Sequence, residues 1–240
     1  MRIIVCENYA EMSEKGAKLF ASQIMLNPKS ILGLATGSTP IGLYDNLIKY
    51  NKEGDIDFSE VTSFNLDEYY PISPENDQSY RYFMNEHLFN HVNIDKNKTY
   101  VPNGLSADPE RECAEYDDLI EKKGGIDIQL LGIGLNGHIG FNEPAEKLCA
   151  GTHVTGLTQS TIEANSRFFA DIADVPTKAL TMGMGSILKA KKIVMLISGK
   201  NKHEVLTKLL NDEITTDVPA TLLKVHPDVV IICDKDAYNG

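Results

Sequence analysis

Cysteine is scarce and scattered in this 240-residue chain: Cys6, Cys113, Cys149 and Cys233 lie far apart, with no C-x-x-C pair. That spacing excludes a disulfide framework and a two-cysteine metal knuckle, and it suits buried or indifferent thiols in a reducing cytosol. Positive charge is short as well. The 23 Lys and Arg are outnumbered by 34 Asp and Glu, for a net charge of −11, which argues against a nucleic-acid or anionic-membrane surface. A small anion stays open as a ligand, because a few local cations or a helix N-terminus suffice to hold one. No run approaches the ~20 apolar residues of a membrane span. The N-terminal M-R-I-I-V-C-E-N has a four-residue apolar run before charges return, too short for a signal peptide. A cytoplasmic protein is expected. H-E-x-x-H, G-x-x-x-x-G-K-[ST], internal repeats and Gly/Ser linkers are all missing, so neither a zinc helix nor a P-loop is predicted.

What is present alternates. Arg2–Cys6 reads as a strand and Tyr9–Leu26 as an amphipathic helix. Strands are predicted at 30–35, 61–64, 126–131, 178–182, 192–197 and 228–233, with short extended pieces at 99–101 and 219–223. Helices are predicted after Pro40, at 77–89, from Asp108-Pro109 to about Lys123, at 160–170, at 186–191 and from Gly199 to about Leu210. Strands that are apolar along their length and alternate with helices predict an open, mostly parallel α/β sheet covered on both faces. One domain spanning 1–240 is expected.

The chain is organised around Gly132–Pro144, G-I-G-L-N-G-H-I-G-F-N-E-P, which follows the apolar run 126–131. Glycines let a ligand approach the main chain, and His138 is the side chain that takes and gives a proton near neutrality. Open α/β folds place their chemistry in such a loop, at a strand's C-terminal end. Gly132, Gly134 and Gly137 match a G-x-G-x-x-G dinucleotide fingerprint, but no helix opens after them and no acidic ribose ligand follows.

Three other places offer chemistry. Thr36-Gly37-Ser38-Thr39 joins a buried strand to a helix, where free amides and hydroxyls form an anion pocket; an ordinary capped turn has the same appearance. Asp67 and Glu68 are adjacent carboxylates at a strand's end. Neighbours in an extended segment point opposite ways, so one can face a crevice as a base of raised pKa while the other is paired or solvated. Arg167, in A-N-S-R-F-F, and Lys202, after S-G-K-N, are candidate phosphate cations or plain surface residues.

Together L-A-T-G-S-T-P, F-N-L-D-E-Y, L-G-I-G-L-N-G-H-I-G-F-N-E-P, A-N-S-R-F-F, the G-x-x-K ending at Lys202 and L-x-x-H-P near the C-terminus resemble the glucosamine-6-phosphate deaminase family across nearly the whole chain. The resemblance implies a Rossmann-like α/β sandwich with no cofactor and no metal, converting the small molecule glucosamine 6-phosphate to fructose 6-phosphate and ammonia. It carries a base role to Asp67, ring opening to His138, orientation of that imidazole to Glu143, and a phosphate clamp to Thr36, Gly37, Ser38, Thr39, Arg167 and Lys202. Asn136 stands where some members carry aspartate, so ring opening here is expected to lean more on Glu143. No nucleic-acid or membrane partner is expected, and self-association is left open. A 6-phosphogluconolactonase-like hydrolase and a non-catalytic sugar-phosphate sensor are the competing readings. Longer members of the family are activated by a second sugar phosphate, held by basic residues after the active-site loop and by a C-terminal extension. Here Ala150–Leu157 has no Lys or Arg and the chain stops at Gly240, seven residues past its last predicted strand, so simple hyperbolic kinetics are expected.

Overall fold

The most apolar segments become the middle of a parallel sheet. The computed structural model describes residues 1–158 and 175–240. Among them the strands are β1 (Arg2–Cys6), β2 (Ile31–Leu34), β3 (Thr62–Asn65), β4 (Asp67–Tyr70), β5 (Thr99–Tyr100), β6 (Ile128–Leu131), β7 (His153–Gly156), β8 (Lys178–Thr181), β9 (Lys192–Ile197) and β10 (Val229–Asp234). Seven of them form one sheet in the order β1-β10-β9-β6-β2-β3-β5, parallel at every pairing. Every residue of β2, β6 and β10 is buried, which requires cover on both faces.

The helices supply that cover and start where local chemistry tells them to. Asn8 caps α1 (Tyr9–Leu26) by accepting from the Glu11 N–H, α2 (Ile41–Glu53) follows Pro40, and Ser79 caps α3 (Tyr80–Met84). Asp108 caps α4 (Pro109–Lys123), whose first residue is the proline that needs no N–H partner there. The remaining α-helices among the described residues are α5 (Met184–Leu188), α6 (His203–Leu210) and α7 (Lys235–Asn239). α1 packs on α2 and lies over β9 and β10, while Tyr116 of α4 meets Phe64 of β3 edge-on. None of these helices is long and apolar enough to cross a membrane.

Three sequence expectations are corrected. The segment 219–223, expected to be extended, lies in a 3-10 helix, Pro219–Val225. Proline sets the first turn, and the Thr221 hydroxyl and N–H close back on the Val218 carbonyl at 2.8 Å each. Residues 77–79 precede the helix expected from 77 to 89, and α3 gives way to a π turn over Asn85–Phe89. The strand expected at 178–182 forms, but as β8 in a second, antiparallel sheet of order β4-β8-β7. Leu66 is the junction of the two sheets: its N–H donates to Leu34 O (3.1 Å), and its carbonyl accepts from Met182 N–H (2.8 Å). The helix expected at 160–170 lies outside the described residues.

From β2 the sheet is built outward through β3 and β5, and from β6 it is built the other way through β9 and β10. The winding reverses between β2 and β6, and the C-terminal ends flanking such a reversal leave a crevice.

Candidate active site

The segments leaving β2, β3, β6 and β9 all arrive at that reversal. They line a crevice of about 630 Å³ containing Thr36–Thr39, Asp67, Gly132–Asn136, His138, Glu143 and Lys202. Nine of the ten residues singled out from the sequence, Thr36, Gly37, Ser38, Thr39, Asp67, Asn136, His138, Glu143 and Lys202, are therefore brought together. The tenth, Arg167, lies outside the described residues.

Asp67 opens β4, opposite Thr181 of β8, and is 6% exposed. Burial, and secondarily the charge of Glu68, push its carboxyl up to about 8. The alternation expected of an extended pair is realised. Glu68 turns into the protein, 2% exposed, where it accepts from the N–H groups of Tyr69 (2.9 Å), Tyr80 (2.8 Å) and Arg81 (2.9 Å). Burial lifts Glu68 to about 7, and those three donors draw it back toward ionisation. Asp67 has no such donors to lower it. The two carboxyls thus differ chiefly in the hydrogen bonds that favour the anion.

His138 is carried by the loop after β6. Its Nδ1 lies 3.2 Å from Glu143 Oε2, off the line of a hydrogen bond, so that the buried nitrogen has no hydrogen-bond partner. Asn136 braces both. Its amide nitrogen donates to Glu143 Oε2 at 2.7 Å, and its amide oxygen accepts from the backbone N–H of His138 at 3.2 Å. The ring lies so close to Gly134 that a Cβ there would come within 2.3 Å of it. Gly140 takes φ +58°, and a Cβ there would stand 3.4 Å from Asp67 Oδ2. Asn142 pins the loop, donating from Nδ2 to Ile139 O and Met182 O, both at 2.8 Å.

The other end of the crevice suits an anion. Thr36–Thr39 precedes α2, where the first N–H groups of a helix have no internal partner. Buried Tyr44 holds the start of this turn by donating to Ala35 O at 2.6 Å. Tyr9 holds its far side: the hydroxyl lies 3.1 Å from both Ser38 O and Thr39 O and accepts from Gly42 N–H at 2.9 Å. Lys202 lines the same crevice, donating to Ile133 O at 2.6 Å, with its pKa lowered by burial.

Two aromatic lining residues were not singled out from the sequence. Tyr80 and Phe141 form an aromatic wall of the crevice, their rings parallel within 1° and 6.2 Å apart, with Tyr69 4.7 Å from Tyr80. Phe141 sits inside the central motif and was open to notice. Tyr80 gives no local signal, since the contacts that place it there, a hydrogen bond to Glu68 and ring packing on Tyr69 and Phe141, are made across the chain.

A family model described as glucosamine-6-phosphate isomerases/6-phosphogluconolactonase matches residues 7–231. The chain is similar to a glucosamine-6-phosphate deaminase of Clostridium perfringens, 59% identical over 237 residues that cover 99% of this chain and 98% of that one. A glucosamine-6-phosphate deaminase of Thermoanaerobacter pseudethanolicus is 56% identical over 239 residues, covering 100% and 94%. Among solved structures, a monomeric glucosamine-6-phosphate deaminase superposes with a TM-score of 0.96 at 44% identity, covering 100% and 99% of the two chains. A 6-phosphogluconolactonase from Thermotoga maritima has a TM-score of 0.77 at 21% identity, covering 98% and 99%, a likeness of fold alone.

Proposed function

The chain belongs to the glucosamine-6-phosphate isomerase/6-phosphogluconolactonase family, and on that premise we propose how its crevice turns glucosamine 6-phosphate and water into fructose 6-phosphate and ammonia. Supporting this reading above all is Asp67, a buried carboxyl raised to about 8 at the wall of a crevice whose opposite end suits a phosphate.

The phosphate sits at the Thr36–Thr39 turn with Lys202, and the family resemblance assigns Arg167 to the same clamp. Because this group is remote from the reacting carbons, its binding energy holds C1 and C2 in place. His138 moves the proton of the anomeric hydroxyl to the ring oxygen, which breaks the C1–O5 bond and leaves an aldehyde. Glu143 orients the imidazole and steadies its cationic form, and Asn136 orients Glu143. Asp67, as carboxylate, then takes the proton from C2. The C1 oxygen takes up a proton, giving an enolamine, and Asp67 returns its proton to C1. Water adds to the resulting C2 imine, and ammonia leaves as the ketone forms. A base with a raised pKa is matched to a carbon-bound proton, and general acid–base catalysis of this kind contributes typically about 10²–10⁴-fold. The chain acts as one domain, in the cytoplasm, in the use of N-acetylglucosamine-derived amino sugars.

The test is release of ammonia and fructose 6-phosphate from glucosamine 6-phosphate by the purified chain. Equal release of both products is expected. Hydrolysis of 6-phosphogluconolactone with no ammonia from the amino sugar would overturn the assignment.

A further inference from the structure

Glu68 is buried, ionisable and unused by the chemistry above. It sits beside Asp67 on β4, yet its carboxylate faces the other way and accepts from three backbone N–H groups. Two of these belong to the first residues of α3, Tyr80 and Arg81, twelve and thirteen positions further along the chain. Tyr80 supplies part of the crevice wall and stacks with Phe141 of the catalytic loop. Arg81 is in turn anchored by its guanidinium to Thr99 Oγ1 and O on β5, both at 2.8 Å. One carboxylate thus ties the strand that bears Asp67 to the wall that faces it.

Building on the reading of Asp67 as the base, we propose that Glu68 is a positioning residue for it: a fixed anion that keeps the neighbouring carboxyl a strong base and holds Tyr80 across from it. Two buried carboxyls side by side release their protons in sequence. Glu68 has three N–H donors to favour its anion, one from β4 and two from the first residues of α3, and Asp67 has none, so the first proton leaves Glu68. Its charge then opposes ionisation of Asp67. Environments that push two carboxyls apart in this way separate their roles. The other groups around Asp67 are Tyr69 on the same strand, Tyr80 of α3 and Tyr116 of α4. Thr181 lies opposite on β8. His138 and Glu143 of the loop and Lys202 line the same crevice. Beside burial, the charge of Glu68 is what raises Asp67.

The test is the pH dependence of kcat/KM in the full chain. Glu68→Gln removes the charge, so the acid limb set by Asp67 is expected to move to lower pH by roughly one unit. A less basic Asp67 is expected to lower kcat by about tenfold, with fructose 6-phosphate still bound. Glu68→Asp keeps the charge but withdraws it from the N–H groups, and is expected to lower kcat with little movement of the limb. A Glu68→Gln enzyme whose limb coincides with the wild type, whatever its kcat, overturns the proposal and makes Glu68 merely structural. Should that variant fail to fold, carbon-detected titration of the wild-type carboxyls decides: Glu68 is expected to titrate below Asp67, and the reverse order overturns the inference. Asp67→Asn separates the two readings. If it keeps normal turnover, the assignment of the base fails. If it is inactive while Glu68→Gln keeps its acid limb, only the role of Glu68 fails.

Discussion

At Asp67 catalysis and stability pull in opposite directions. An unfolded aspartate titrates near ~4, whereas the folded chain raises Asp67 to about 8 and Glu68 to about 7. Between those values the native state holds more protons than the unfolded one. The contribution of these groups to stability is therefore fully present below about pH 4 and is lost as pH rises toward 8. Asp67→Asn removes both the base and this penalty. Deamination is expected to fall by at least ~10²-fold, while Tm at pH 8 rises by on the order of 5 °C and the difference from wild type closes toward pH 4. Near-normal turnover, or a gap in Tm that widens toward acid, would contradict this account. A second residue-scale test uses the space beneath the imidazole. A methyl group at position 134 would stand 2.3 Å from the His138 ring, and the ring can yield because 28% of it is exposed. Gly134→Ala is accordingly expected to cost about tenfold or more in kcat from ring displacement, with only a modest change in Tm. Unchanged kcat would mean that the ring position is not critical.

At the scale of elements, legibility followed locality. α1 was readable to its ends, Tyr9–Leu26, because an Asn8 cap and an apolar period lie within one segment. α4 announced itself by Asp108-Pro109 at the start and Gly124, in the left-handed region at φ +106°, at the end. The antiparallel sheet was not readable as such. β4 and β8 are four residues each, and they find one another across more than a hundred residues of chain. Tyr80 was invisible for the same reason, its place depending on Glu68. In the turn Thr36–Thr39 the motif could be read, but not its support by α1. Tyr9 bonds Ser38 and Thr39 carbonyls and the Gly42 N–H, bracing the proposed phosphate turn from outside the crevice. Tyr9→Phe keeps the ring and removes the bonds, each worth about 1 kcal/mol net. It is expected to raise KM for glucosamine 6-phosphate about three- to tenfold with kcat nearly intact. A loss confined to kcat would show that the turn does not depend on this brace for binding.

Across the whole molecule, the parallel sheet was legible because it follows from the order of apolar runs and helices, whereas the reversal between β2 and β6 was not, because the spatial order of strands is set by pairings between distant segments. The second sheet bears on the remaining expectation, the absence of activation by another sugar phosphate. Half of the segment 150–157 forms β7, at the edge of that sheet. Its only ionisable side chain other than the exposed Cys149 just before it is His153, whose Nδ1 is already 3.1 Å from Gly151 O. The nearest cation in register is Lys178 on β8, opposite Gly156 at the other end of β7 from His153. Among the described residues, a phosphate of nearly two negative charges would meet one half-exposed imidazole and one exposed lysine on this strand pair, on a chain of net charge −11. Contacts that exposed are screened within about 8 Å at physiological salt. Coupling between sites further requires an effector that binds one state better than another, and two weak contacts on one strand pair supply little preference. We therefore expect rate against glucosamine 6-phosphate to be hyperbolic and unchanged by the N-acetylated sugar phosphate, apart from competition at the crevice. The measurement is the full saturation curve with and without that compound. A sigmoidal curve that the effector straightens would require a second site built from residues other than those of β7 and β8.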